Sequence, residues 1–179
     1  MNGRIFMQHD AILDLVQGMA RLTRHQLGQR GIEDPAMIGI HTGGVWVARQ
    51  LQPLLGIDEP LGELDISFYR DDFTRIGMNP QVKPSKIPFE VEERHIILVD
   101  DVIQSGRTVR AAMNEIFDFG RPASILLVTL VERSGRELPI QPDVAGLQPP
   151  LADDEHIRLE GPDPLTLRIS GRPGAREET

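Results

Sequence analysis

Ile96-Ile97-Leu98-Val99-Asp100-Asp101-Val102-Ile103-Gln104-Ser105-Gly106-Arg107-Thr108 sets four apolar residues, two adjacent carboxylates and a small-residue turn in succession. With His95 before it, the apolar run reads as a strand buried on both faces of a parallel sheet, and Thr108 to Phe119 reads as the helix that follows. The loop between them then lies at a strand's carboxyl end, where open α/β sheets bind ligands. Backbone N–H groups at a helix start make an anion pocket there. Ser105 and Thr108 add hydroxyl donors, Gly106 lets the backbone approach a phosphate closely, and Asp100 and Asp101 are placed to hold sugar hydroxyls or a hydrated Mg2+. The stretch therefore points to a phosphorylated sugar. A bland alternative, two aspartates that merely complement a helix dipole, accounts for the carboxylates but not for the Ser-Gly-Arg-Thr after them.

Two better-known phosphate loops are set aside, because the chain has neither G-x-x-x-x-G-K-[ST] nor a G-x-G-x-x-G after a strand. A receiver domain would carry its acidic residues near its start, whereas a substantial α/β segment comes first here. The 179 residues suit a single core. Residues 1–169 are expected to form one domain and Ser170 to Thr179 a disordered tail. No segment resembles a signal peptide or a membrane span, so the cytoplasm is the expected compartment and a membrane is not an expected partner. Zero cysteines exclude disulfides and thiolate chemistry, and the five histidines show no ligand spacing. An oxygen-ligated cation is the metal that fits. The net charge of −8 opposes a global attraction to nucleic acid but leaves room for a local basic face.

Residues His9 to about Gln29 have the spacing of an amphipathic helix, with Ile12, Leu15, Val16, Met19 and Leu22 on its apolar side and Asp10 at its cap. Ala36 to Ile40 reads as a strand, His41-Thr42-Gly43-Gly44 as a small-residue loop, and Val45 to about Leu55 as a helix. Leu64, Ile66 and Phe68 alternate with Asp65, Ser67 and Tyr69 in the period of a half-exposed strand. Asp71 to Pro88 reads as a long loop, either disordered or functional, active-site lids being a common functional case. Ser124 to Val131 is a further buried strand, and short strands are expected at about His156–Leu159 and Leu165–Ile169. Strands alternating with helices predict a mostly parallel α/β sheet flanked by helices.

The opening motif resembles the phosphoribosyl pyrophosphate (PRPP) signature of type I phosphoribosyltransferases. Gly62-Glu63-Leu64-Asp65-Ile66-Ser67-Phe68-Tyr69-Arg70-Asp71-Asp72, Gly106-Arg107-Thr108-Val109-Arg110, Gly120-Arg121-Pro122 and Arg136-Glu137-Leu138-Pro139-Ile140 narrow the match. They resemble the PyrR family, pyrimidine operon regulators that are also uracil phosphoribosyltransferases. The resemblance implies the type I fold, with a small hood formed by the N-terminal segment and the part after about Pro139. It implies the substrates PRPP and uracil, the product UMP, Mg2+, and a homo-oligomer of two or more copies.

By the same resemblance, Asp100 and Asp101 are catalytic and hold the ribose hydroxyls, directly or through Mg2+. Val102, Ile103, Gln104, Ser105, Gly106, Arg107 and Thr108 complete the PRPP and UMP loop, and Thr42, Gly43 and Gly44 form the pyrophosphate loop. Gly43 is a departure, since many members have Thr-Arg-Gly there, and it bears on catalytic rate more than on ligand class. Arg70, at the entrance to the long loop, is a catalytic candidate that contacts pyrophosphate when the loop closes. Arg133 and Arg136 either meet phosphate or pair with Glu132 and Glu137. Purine enzymes have an aspartate at the position of Gln104, suited to proton exchange with a ring nitrogen; glutamine fits a pyrimidine better.

In RNA-binding members, side chains near the first helix help form the RNA face, which here points to Arg21, Thr23, Arg24, His25 and Arg30. The competing reading is the solvated side of an amphipathic helix. Three functions therefore stand: a uracil enzyme that is also a UMP-responsive regulator, a regulator of pyr-leader mRNA with little catalysis, and a purine-type phosphoribosyltransferase.

Overall fold

The computed structural model describes residues 3–67 and 85–171. The elements run β1 (Arg4–Met7), α1 (His9–Gln29), β2 (Ala36–Ile40), α2 (Gly43–Leu54), β3 (Gly62–Leu64), β4 (His95–Ile103), α3 (Arg107–Phe119), β5 (Ser124–Glu132), β6 (Val144–Leu147), β7 (Glu155–Glu160) and β8 (Thr166–Gly171). Five strands form a parallel sheet in the order β3-β2-β4-β5-β6. The other three form an antiparallel sheet in the order β1-β8-β7.

Alternation along β4 explains why the central sheet needs helices on both faces. Ile97 and Val99 pack with Ile12, Val16 and Met19 of α1 and with Val47 and Leu51 of α2. Ile96 and Leu98 face the other way, onto Val109, Ala112 and Ile116 of α3. A strand apolar on both faces thus sits at the centre of a three-layer sandwich. The chain leaves β2 through α2 toward β3 on one side and leaves β4 through α3 toward β5 on the other. The reversal falls between β2 and β4, so a crevice opens at their carboxyl ends, where open sheets place ligands.

Several expectations shift at their edges. β4 extends through both aspartates to Ile103, and α2 begins at Gly43 rather than Val45. The strand after Gly62 stops at Leu64, because Asp65 Oδ1 accepts the Ser67 N–H at 3.1 Å and its hydroxyl at 2.7 Å, turning the chain. Asp10 lies in the first turn of α1, whose N-cap is Gln8. Leu22 is exposed and Thr23 takes its place on the buried stripe, one turn from Met19 and Leu27. β1 and β6 were not expected. β6 shows that part of the chain after Pro139 belongs to the central sheet, while β1, β7 and β8 form the hood. β8 takes in Ser170 and Gly171; the rest of the expected tail, most of the long loop, and Phe68, Tyr69 and Arg70 before it lie outside the described residues. The loop's end is tied down where Glu63 and Lys86 exchange backbone hydrogen bonds of 2.7 and 2.8 Å. No described helix is long and apolar enough to cross a membrane.

Candidate active site

A cavity of about 270 Å³ opens at the switch point, lined by Asp100, Val102, Ile103, Gln104, Ser105, Gly106, Thr108 and Val109 from β4, the loop and α3. Arg133, after β5, and His156 and Ile157 of β7 close it from the side of the hood. The central motif, read as a strand, loop and helix, is therefore brought to one wall. Gly106, with φ of 89°, is the N-cap of α3; a side chain there would be strained, which is why the turn needs glycine.

The two carboxylates are fixed by their own backbone. Asp100 Oδ1 accepts the Asp101 N–H at 2.9 Å, and Asp101 Oδ1 accepts the Val102 N–H at 2.9 Å. Asp100 is only 4% exposed and lines the cavity, while Asp101 is half-buried and leans on the β2–α2 turn. A Cβ added to Gly43 would lie 2.2 Å from Asp101 Oδ2 and 2.9 Å from its Cβ. One added to Gly44 would lie 2.6 Å from the Val99 carbonyl oxygen. The Thr42–Gly44 turn thus abuts the aspartates because neither glycine has a side chain.

Beneath the loop lies a second layer. The Ser105 carbonyl accepts the Glu137 and Leu138 N–H groups at 3.0 and 3.1 Å. The Ser105 hydroxyl accepts the Arg107 N–H at 3.2 Å, and the Arg107 side chain, 63% exposed, turns outward to Glu137 at 2.7 Å. Arg136 does not line the cavity: its guanidinium donates to the Gln104 carbonyl at 2.5 Å and to Glu132 at 2.6 Å. Arg133 does line it, 8% exposed, with its backbone N–H on the Ile103 carbonyl and its guanidinium on the Glu155 carbonyl, both at 3.0 Å. The Gln104 side chain packs over Gly135.

His156, Ile157 and Val109 had no local signal that marked them for a site. The two hood residues enter only because β7 folds back across the mouth. Trp46 packs in the core beneath the hood, next to Gly161. On α1, Arg21, Arg24 and His25 are exposed, as is Arg30 just after it, but Thr23 is fully buried and is removed from any outer face. Arg24 donates to the Leu54 carbonyl at 2.6 Å and Arg30 pairs with Asp143 at 2.6 Å.

The phosphoribosyl transferase domain model matches residues 7–159. The chain is 58% identical over 154 residues to the bifunctional protein PyrR of Pseudomonas paraeruginosa, covering 86% of this chain and 91% of that protein. It is 59% identical over 157 residues to the bifunctional protein PyrR of Nitrosococcus oceani, covering 87% and 89%. Among solved structures, a hypoxanthine-guanine phosphoribosyltransferase of Bacillus anthracis superposes with a TM-score of 0.66 at 20% identity over 88% of this chain and 86% of that one. A hypoxanthine phosphoribosyltransferase of Trypanosoma cruzi gives 0.66 at 16% identity over 93% and 95%. The two structural likenesses speak for the fold.

Proposed function

The chain belongs to the PyrR family of phosphoribosyltransferases, and from that premise we propose that it joins uracil to PRPP, releasing pyrophosphate and UMP, and regulates pyrimidine biosynthesis genes in response to UMP. The observation that carries the reading is the cavity whose one wall is Asp100 with Gln104, Ser105, Gly106 and Thr108 and whose other wall is Arg133, His156 and Ile157. The loop receives the 5′-phosphate, the aspartates face the ribose, and the hood side receives the base.

As pyrophosphate departs, positive character develops on the ribose ring. Asp100, buried and held in one orientation by the Asp101 N–H, stabilises that charge without reorganising. Thr42 to Gly44 offer backbone N–H groups to the pyrophosphate, and Arg70 is assigned to it by resemblance alone. The donor set also fits Mg2+. The described residues contain no group of three or more His, Asp or Glu able to hold a metal, which suits a cation bound by Asp100 and Asp101 together with substrate oxygens. When bound, Mg2+ neutralises charge on the leaving pyrophosphate.

Gln104 lacks the carboxylate that would exchange a proton with a purine ring nitrogen, so the base is a pyrimidine. Purified protein assayed with uracil, hypoxanthine, guanine and orotate tests this, and a preference for a purine rejects it. For regulation, Arg21 and His25 on α1, with Arg24 and Arg30, form the candidate face for pyr-leader mRNA, and a homo-oligomer of two or more copies would present it repeatedly. Binding that UMP strengthens and salt weakens supports this arm. No RNA binding at low salt leaves an enzyme without the regulator. Sedimentation of the purified protein measures the assembly.

A further inference from the structure

We propose that Glu132 and Arg136 form a strut that sets the position of the phosphate loop, and that Gln141 and Gln148 hold the strut in place. The proposal rests on the reading of that loop as the 5′-phosphate site. Arg136 bridges the loop and the end of β5 by donating to the Gln104 carbonyl at 2.5 Å and to Glu132 Oε1 at 2.6 Å. Gln141 donates to the same oxygen at 2.8 Å, and Gln148 donates to Oε2 at 2.7 Å. Glu132 is 9% exposed, and these donors reach both of its carboxylate oxygens.

The arrangement has a direction. The Arg136 Nε is buried without a hydrogen-bond partner among the described residues, so the guanidinium leaves one donor unpaired while making its two other contacts. Those contacts fix the Gln104 peptide from below, and the Glu137 and Leu138 N–H groups fix the next carbonyl. Together they pin the two residues that precede Gly106. A loop held this way presents its N–H groups to phosphate without ordering on binding. Among the described residues, the side-chain hydrogen bonds of Glu132 and Arg136 run to Gln104, Gln141 and Gln148 and none runs to His156 or Ile157, so the strut acts on the phosphate more than on the base. Glu132 and Arg136 also wall a second cavity of about 420 Å³ with Gln141, Gln148 and Leu151, which leaves space for exchanging groups there.

The test exchanges an amide and a carboxylate. In Glu132→Gln the amide NH2 meets the donor of Gln148, while the remaining oxygen still accepts from Arg136 and Gln141. Adding Gln148→Glu returns a carboxylate opposite that NH2. The single variant is expected to raise the KM for PRPP and the Kd for UMP about tenfold with the KM for uracil nearly unchanged, and the double variant to restore both. Arg136→Lys, which cannot span both partners, is expected to match the single variant. Amide hydrogen exchange at Glu137 and Leu138, whose N–H groups hold the Ser105 carbonyl of the loop, should quicken in both single variants of the ligand-free protein and recover in the double.

Unchanged loop exchange in Glu132→Gln, or equal losses for uracil and PRPP that the second substitution does not reverse, overturns the strut. A wild type that forms no UMP rejects the functional reading instead, and the exchange measurement still decides the strut.

Discussion

Gly43 is the residue whose meaning the structure changes most. In the sequence it stands where relatives often have an arginine, which suggests a weakened pyrophosphate site. In the fold its Cβ position is already filled by Asp101, down to that residue's own Cβ at 2.9 Å. A side chain there cannot be absorbed by rotating a flexible tip, so either the carboxylate or the β2–α2 turn must move. Gly43→Arg is therefore expected to lower kcat/KM for UMP formation rather than raise it, and Gly43→Ala to do the same to a smaller degree; an increase with Gly43→Arg would show that the turn has room. Asp100→Asn keeps the shape and removes the charge, and should lower kcat about 100-fold, the usual scale for losing one electrostatic stabiliser, with Tm little changed. The places of the paired aspartates at the end of a buried strand and of Gly106 in the turn after it were readable along the chain. Residues that act through a neighbour were legible only in part: pairing of Arg136 with Glu132 was one of two readings open in the sequence, but nothing in Arg136-Glu137-Leu138 chose it over phosphate or foretold the contact with the Gln104 carbonyl. Thr23 illustrates the same limit, since a polar residue on a helical stripe looks like a surface donor until packing buries it.

At the scale of elements, β4 carries both stability and position. Leu98 is fully buried between β2, β5 and α3, so Leu98→Ala should cost about 2–5 kcal/mol by denaturant unfolding. The same melt on Arg107→Ala should show a loss below about 1 kcal/mol, because its pair with Glu137 is exposed and screened. The PRPP KM of that variant should stay close to wild type, since Arg107 serves the loop through its backbone N–H and sends its side chain outward. A twofold limit on KM separates this expectation from a direct phosphate role. The long elements were legible because their periodicity is strong: α1 runs His9–Gln29 and β2 Ala36–Ile40 as the pattern predicts. β1 and β6 were not, and the reason is physical. Each is four residues long at a sheet edge, and β6 sits among prolines, so pairing rather than local pattern makes it a strand.

Across the whole molecule, the hood shares one apolar core with the central sheet and adds ion pairs of its own. The parallel sheet is fixed by apolar layers, and the centre of β4 and β5, Ile96 to Val99 and Leu126 to Val128, carries no charge. The hood joins chain ends more than 150 residues apart, Arg4 opposite Ile169, and no local signal announces such a pairing. It buries Ile157, Leu159, Leu165 and Leu167, but its strands are also laced by ion pairs. The Ala152 N–H and the Arg4 guanidinium hold the Glu155 carboxyl below its ordinary value, and Arg168, with Arg158, does so for Glu160. A carboxyl lowered on folding stabilises the folded state at pH values above its unfolded value, and this contribution is lost as the pH falls through the lowered folded value. Both contributions should therefore be whole at neutral pH and begin to fade below about pH 4.5, the ordinary glutamate value. Because Glu155 adjoins His156 and accepts Arg133 on its carbonyl, loosening there opens the hood side of the cavity. Residue-resolved NMR during acid titration should show β7 and β8 signals of the ligand-free protein broadening at a higher pH than those of β4 and β5. Glu160→Gln should lower stability at neutral pH and leave it close to wild type at pH values below the lowered folded value, since the variant lacks the titrating contribution throughout. Simultaneous loss of both sheets in the wild type would show instead that hood and core unfold as one unit.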